Sequence, residues 1–83
     1  MYQNYPNPFN PVTKITFNIP VSGNISIRVY DITGKVIKTL VNEFRNAGTY
    51  YTEFNGADVS SGVYYYKMET GNFSEIKKMI LLK

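Results

Sequence analysis

Residues 14–30 read KITFNIPVSGNISIRVY. In the first six of these, Ile15, Phe17 and Ile19 alternate with Lys14, Thr16 and Asn18. A spacing of two puts one set on one face of an extended chain, so this is a half-buried strand. Pro20, Ser22, Gly23 and Asn24 interrupt it as turn residues. Alternation then resumes, with Ile25, Ile27 and Val29 opposed to Ser26, Arg28 and Tyr30. The fold is therefore built from short two-faced strands separated by turns.

The chain beyond repeats that pattern. Asp31-Ile32-Thr33-Gly34 is a turn in which Gly34 is free to take a positive φ. Residues 35–41 are rich in β-branched side chains but apolar on both faces, with Val36 and Leu40 against Ile37, Thr39 and Val41. That mixture predicts a bulge or an edge strand. Residues 42–47 are polar and read as a loop closing at Gly48. Residues 49–54 place Tyr50, Thr52 and Phe54 on one face. Asn55-Gly56 signals a tight turn, and the loop continues to Gly62. In residues 63–69, Tyr64, Tyr66 and Met68 face one way and Val63, Tyr65 and Lys67 the other. Thr70-Gly71-Asn72 turns the chain, and residues 73–82 make a last strand. No helical period occurs. Six strands, with a short seventh supplied by the N-terminal segment, predict an all-β, mainly antiparallel sandwich, because each half-apolar sheet must cover its apolar face.

The N-terminal segment, residues 2–11, reads YQNYPNPFNP. Its prolines exclude a helix and push the residues before them into extended geometry. Residues 1–12 thus form a proline-rich lead-in, with Phe9 as the ring that would dock it, and residues 13–83 form the sandwich.

Composition narrows the chemistry. The 83 residues make one domain at most, and they include no Cys, His or Trp. A zinc site of the usual ligands, a thiol nucleophile, an imidazole base and a Ser-His triad are all excluded on that ground. The six carboxylates, Asp31, Glu43, Glu53, Asp58, Glu69 and Glu75, fall on turns or outward strand positions with no local pairing. Asn55-Gly56-Ala57-Asp58 lacks the alternating oxygen ligands of a calcium loop. No catalytic residue, cofactor or metal is expected. The net charge of +3 comes from scattered cations, which reads as a solvated surface rather than a nucleic-acid face. No basic start followed by an apolar stretch is present at Met1, so any export is expected to be initiated elsewhere in the parent chain. With no disulfide, eight Tyr and five Phe are the expected compensation in so small a core.

One run stands apart. Lys77-Lys78-Met79-Ile80-Leu81-Leu82-Lys83 sets four consecutive apolar residues between lysines. It reads either as a core strand with lysine gatekeepers or as a strand offered to a partner by strand addition.

The whole pattern resembles the C-terminal sorting domain of the type IX secretion system. The resemblance is carried by YPNPFNP at residues 5–11, TKITF at 13–17, VYDITGKV at 29–36, AGTY at 47–50, SGVYYY at 61–66 and KMILLK at 78–83. It implies an immunoglobulin-like sandwich at the C-terminal end of surface or secreted proteins of the Bacteroidota and related phyla. It further implies that the domain passes the periplasm and directs its cargo through the outer-membrane translocon. A sortase then removes it, leaving the cargo at the cell surface or outside; the domain is substrate, not enzyme. On this resemblance, recognition by the secretion machinery falls to Gly62, Tyr64, Lys78, Met79, Ile80, Leu81, Leu82 and Lys83. Gly62 and Tyr64 are equally readable as fold residues. Tyr5, Pro6, Asn7, Pro8, Phe9, Asn10 and Pro11 would form the junction with an N-terminal cargo. Related domains often carry Trp where Phe54 stands here.

Two other readings stay open. One is a structural assembly module, similar to the immunoglobulin-like domain of the flagellar hook-cap protein, self-associating through edge strands. The other is carbohydrate binding, which needs an exposed aromatic row; Tyr30, Tyr51 and Tyr65 are its candidates.

Overall fold

The computed structural model describes residues 1–71 and 73–83. Among them six strands form: β1 (Val12–Ile19), β2 (Gly23–Tyr30), β3 (Val36–Arg45), β4 (Gly48–Asn55), β5 (Gly62–Glu69) and β6 (Ser74–Leu81). β1 and β4 make a two-stranded sheet; the larger sheet has the order β3-β2-β5-β6. Every strand pair is antiparallel. The expected all-β sandwich is therefore present.

The alternation read from sequence sets which side chains meet between the sheets. Ile15, Phe54 and Phe9 pack with Val29, Tyr64, Tyr66, Met79 and Leu81. Phe17, Ile19, Ile25, Ile27, Val41 and Met68 form the second half of the core. Phe54 meets Phe9 edge to face, with centroids 5.9 Å apart, a favourable arrangement for two rings. Phenylalanine suits that position because it brings no donor needing a partner.

β3 is an edge strand, and it is bulged. Ile27 pairs Val41 and Arg28 pairs Thr39, which leaves Leu40 without an opposite number. Val29 pairs Lys38 and Tyr30 pairs Val36, which leaves Ile37 in the same position. The two extra residues are the ones that pack half-buried against the core. The bulges thus account for a strand that looks apolar on both faces.

One boundary needs correction. Residues 42–47 are not a loop as their polarity predicts, because β3 continues to Arg45 and pairs Asn42, Glu43, Phe44 and Arg45 with Ser26, Ile25, Asn24 and Gly23. Backbone pairing at a sheet edge needs no apolar side chain, so composition hides it. The turn is left with Asn46 and Ala47, and the Ala47 N–H donates to Ser22 Oγ at 2.7 Å. Asn55-Gly56 does turn the chain, but into a crossover between sheets rather than a hairpin. In the Thr70-Gly71-Asn72 turn, Asn72 lies outside the described residues; the Thr70 N–H donates to Phe73 O at 2.9 Å across it. Gly34, at φ 88°, gives the Asp31–Gly34 turn its left-handed residue.

Gly56 is confined by packing instead. A Cβ there would lie 2.8 Å from Leu81 Cδ2, and Leu81 is fully buried. Gly56→Ala should therefore lower stability by about 1–3 kcal/mol through overpacking. Urea unfolding followed by tyrosine fluorescence would measure it; an unchanged midpoint would contradict the packing described.

Candidate functional site

The expected recognition residues lie on the β5–β6 hairpin, and pairing brings them together. Gly62 lies opposite Leu81, Val63 opposite Ile80, Tyr64 opposite Met79 and Tyr65 opposite Lys78. Strand alternation then divides them. Tyr64, Met79 and Leu81 point into the core and are buried. Lys78, Ile80 and Leu82 fall on the opposite face, with Leu82 55% exposed. The Tyr64 hydroxyl donates to Ser60 O at 2.6 Å, which ties the β4–β5 loop to the core. Gly62 is exposed, and nothing lies within 4 Å of where its Cβ would be. Lys83 folds back, its Nζ donating to Ala57 O at 2.8 Å and its N–H to Ser61 Oγ at 3.0 Å. The outward side chains of this strand are thus Lys78 and Leu82, with Ile80 half-buried, while Tyr64, Met79 and Leu81 serve packing.

The lead-in lies beside this strand. Its residues bridge β1 on one side and β6 on the other. Tyr5 and Lys14 exchange backbone bonds of 2.9 and 3.0 Å, and the Tyr2 N–H donates to Thr16 O at 2.9 Å. On the β6 side, the Phe9 N–H donates to Ile80 O and the Leu82 N–H to Phe9 O, both at 2.9 Å. Gln3 Nε2 donates to Lys78 O at 2.8 Å, and the Ile80 N–H donates to Asn7 Oδ1 at 3.0 Å. Phe9 is buried between the sheets as expected, whereas Tyr5, Pro6, Asn7, Pro8 and Asn10 remain exposed and Pro11 is half-buried.

A buried polar knot holds the centre of the lead-in. The Asn4 N–H donates to Tyr66 Oη at 2.8 Å, and the Tyr66 hydroxyl donates to Tyr2 O at 3.0 Å. Asn4 Nδ2 donates to Thr13 Oγ1 at 3.0 Å and to Pro6 O at 3.1 Å, and the Thr13 hydroxyl donates to Pro6 O at 2.8 Å. Periodicity reveals none of this. The one signal in the sequence is that a tyrosine on a core face needs a partner for its hydroxyl. Burial, reinforced by Glu75 and opposed by the Asn4 amide, pushes the Tyr66 phenol up to about 12. Asp31 shifts the other way: the Thr33 hydroxyl, then the Lys35 amide, hold its carboxyl below the usual value.

The outer face of the larger sheet carries Tyr30 directly opposite Tyr65. With Ile32, Lys67 and Ile76 they line a shallow depression of about 360 Å³. Tyr51 does not extend that row. It sits on β4 in the other sheet, with Lys14 Nζ 4.2 Å above its ring. The three rings proposed for a carbohydrate face are thus divided between two sheets. Among the described residues, no three carboxylates gather as a metal site would need.

A family model described as a secretion system C-terminal sorting domain matches residues 3–82. No curated protein matches the chain.

The Tyr66 geometry has a consequence for pH. The folded state holds the phenolic proton more tightly than the unfolded chain, whose tyrosine ionises near 10. Tyr66's contribution is therefore complete below about pH 10 and is lost as pH rises toward about 12. A shift of this size corresponds to about 2–3 kcal/mol. Tyr66→Phe should cost about 1–3 kcal/mol at neutral pH by leaving the Asn4 N–H and Tyr2 C=O unpaired. It should also abolish the alkaline loss specific to Tyr66. Urea midpoints of both proteins across that pH window measure the two effects, and parallel curves would refute the second.

Proposed function

The chain belongs to the secretion system C-terminal sorting domain family, and from that premise we propose that it directs an exported cargo through the type IX outer-membrane translocon and is then removed by a sortase. Membership in this family implies an exported protein, a cargo on the N-terminal side and recognition by secretion machinery. The family is one of non-catalytic signals. The match carries the reading because it spans both the lead-in and the closing strand.

On this proposal the route runs through the periplasm to the outer membrane, the cell surface or the medium. Recognition falls to the end of the β5–β6 hairpin. Lys78, Ile80 and Leu82 supply the readable side chains, with Lys83 and Gly62 beside them. Tyr64, Met79 and Leu81 contribute by holding that strand in register. The segment from Tyr5 to Pro11 joins the cargo. Because its Phe9 is a core residue, a cut upstream of the lead-in leaves the sandwich whole.

The alternative is an assembly module that acts by strand pairing. In its favour, β3 and β4 each have one strand neighbour and so present an outer edge.

A fusion of residues 2–83 to an exported reporter, in a bacterium with type IX machinery, separates these readings. Surface delivery of the reporter is expected. Lys78→Glu with Leu82→Glu should reduce it at least about tenfold while the domain stays folded, since both side chains point outward. Periplasmic retention of the intact, folded fusion would refute the sorting role. Concentration-dependent filaments of the isolated domain would favour the assembly module.

A further inference from the structure

β6 is the outermost strand of the larger sheet, and one of its edges is turned away from β5. In an antiparallel pair, backbone groups point alternately to the two sides of the strand. The outward set here includes Lys78 C=O, both groups of Ile80 and the Leu82 N–H. The lead-in takes all four, through Gln3, Asn7 and Phe9. Phe9 forms a parallel bridge with Leu81, and its ring fills a space lined by Ile15, Phe54 and Leu81. The seat is thus a strand edge with a ring-sized pocket beside it.

A donor or carbonyl engaged by the lead-in is not available to another strand. A partner that pairs with the closing strand through its backbone must first displace the lead-in. The remaining ladders, β1–β4, β2–β3, β2–β5 and β5–β6, involve no residue before Val12. Lifting the lead-in breaks no bond of those ladders; its cost is the burial of Phe9 and the Asn4–Tyr66 and Asn4–Thr13 hydrogen bonds. Local openings of this kind lie below the free energy of global unfolding.

We propose that residues 2–9 are a displaceable strand that closes the β6 edge. The edge they uncover accepts an extended segment of the secretion machinery bearing an aromatic ring where Phe9 sits. The identity of that partner rests on the sorting role; the displacement itself does not. Being tethered through Asn10 and Pro11, the lead-in competes at a high effective concentration, so the edge opens readily only when the lead-in is pulled away or cut off.

Amide hydrogen exchange on the unaltered domain tests the displacement. The Ile80 and Leu82 amides, which face the lead-in, should exchange at least about tenfold faster than those of Met79 and Leu81, which face β5. All four exchanging together at the rate of global unfolding would overturn the proposal. So would exchange of Ile80 and Leu82 at the rate of an unstructured peptide, since the lead-in would then cover nothing. The seat is tested on a domain with a protease site inserted between Asn10 and Pro11: the folded protein is cut there, so that the lead-in is no longer tethered, and the synthetic peptide YQNYPNPFNP is titrated onto it. Saturable binding is expected, weakened at least about tenfold when the peptide's phenylalanine is replaced by alanine. Absence of binding, or indifference to that ring, would overturn it. Neither measurement contains secretion machinery, so failure of the sorting role shows separately, in the reporter fusion.

Discussion

The buried hydroxyl of Tyr66 joins the two sheets through the lead-in. Tyr66 belongs to β5 in the larger sheet, and its partners Asn4 and Tyr2 belong to a segment that pairs with β1 in the smaller one. A sandwich of two and four strands leaves one flank between β1 and β6 to be closed. Here the lead-in closes it, bonded to β1 on one side and to β6 on the other. Phe9 supplies the apolar part of that closure and Asn4 the polar part. Both are buried; Asn4 Nδ2 and the Thr13 hydroxyl bond each other and Pro6 O, and Asn4 Oδ1 accepts from Gln3 Nε2. A half-satisfied polar knot at this depth would cost more than it contributes.

That closure explains how so short a chain manages without a disulfide. The balance of burial against chain entropy in a domain of this size is close to zero. Aromatic residues bury large areas with few rotatable bonds. Phe9, Phe17, Phe54 and Tyr66 are among the largest fully buried side chains. They come from the lead-in, β1, β4 and β5, so each links a different part of the chain to the same core. The lead-in is consequently a structural layer of the sandwich.

The strands were legible because alternation is a direct consequence of having one wet face. Residues 14–30 and 63–69 needed no other information. The doubly apolar segment around Ile37 and Leu40 announced an irregularity, and two bulges turn those side chains inward. The polar stretch at residues 42–47 misled because edge pairing is a property of the backbone. At the candidate site, position along the chain was readable but direction was not fully so. The alternation assigned to residues 63–69 already implied a buried Tyr64. The run from Met79 to Leu82 gave no alternation to read, since its outward members Ile80 and Leu82 are as apolar as its inward ones. The docking of the lead-in was signalled only by Phe9. Its hydrogen bonds to β5 and β6 join residues more than sixty positions apart, such as Asn4 and Tyr66, and no local pattern encodes such a contact.

An apolar strand at a sheet edge is a hazard for any domain, because unpaired backbone groups template indiscriminate association. The edges here are treated differently. β3 is broken by two bulges, which twist an edge away from regular pairing. β6, whose run of apolar residues makes it the more hazardous strand, is covered by a segment of the same chain. A bulge placed in β6 would disfavour pairing with every partner alike. A cover disfavours it only while the cover is seated. On the proposed function that cover is also the segment nearest the cargo, so the strand would stay closed in transit and be opened at one place, by whatever acts on the junction.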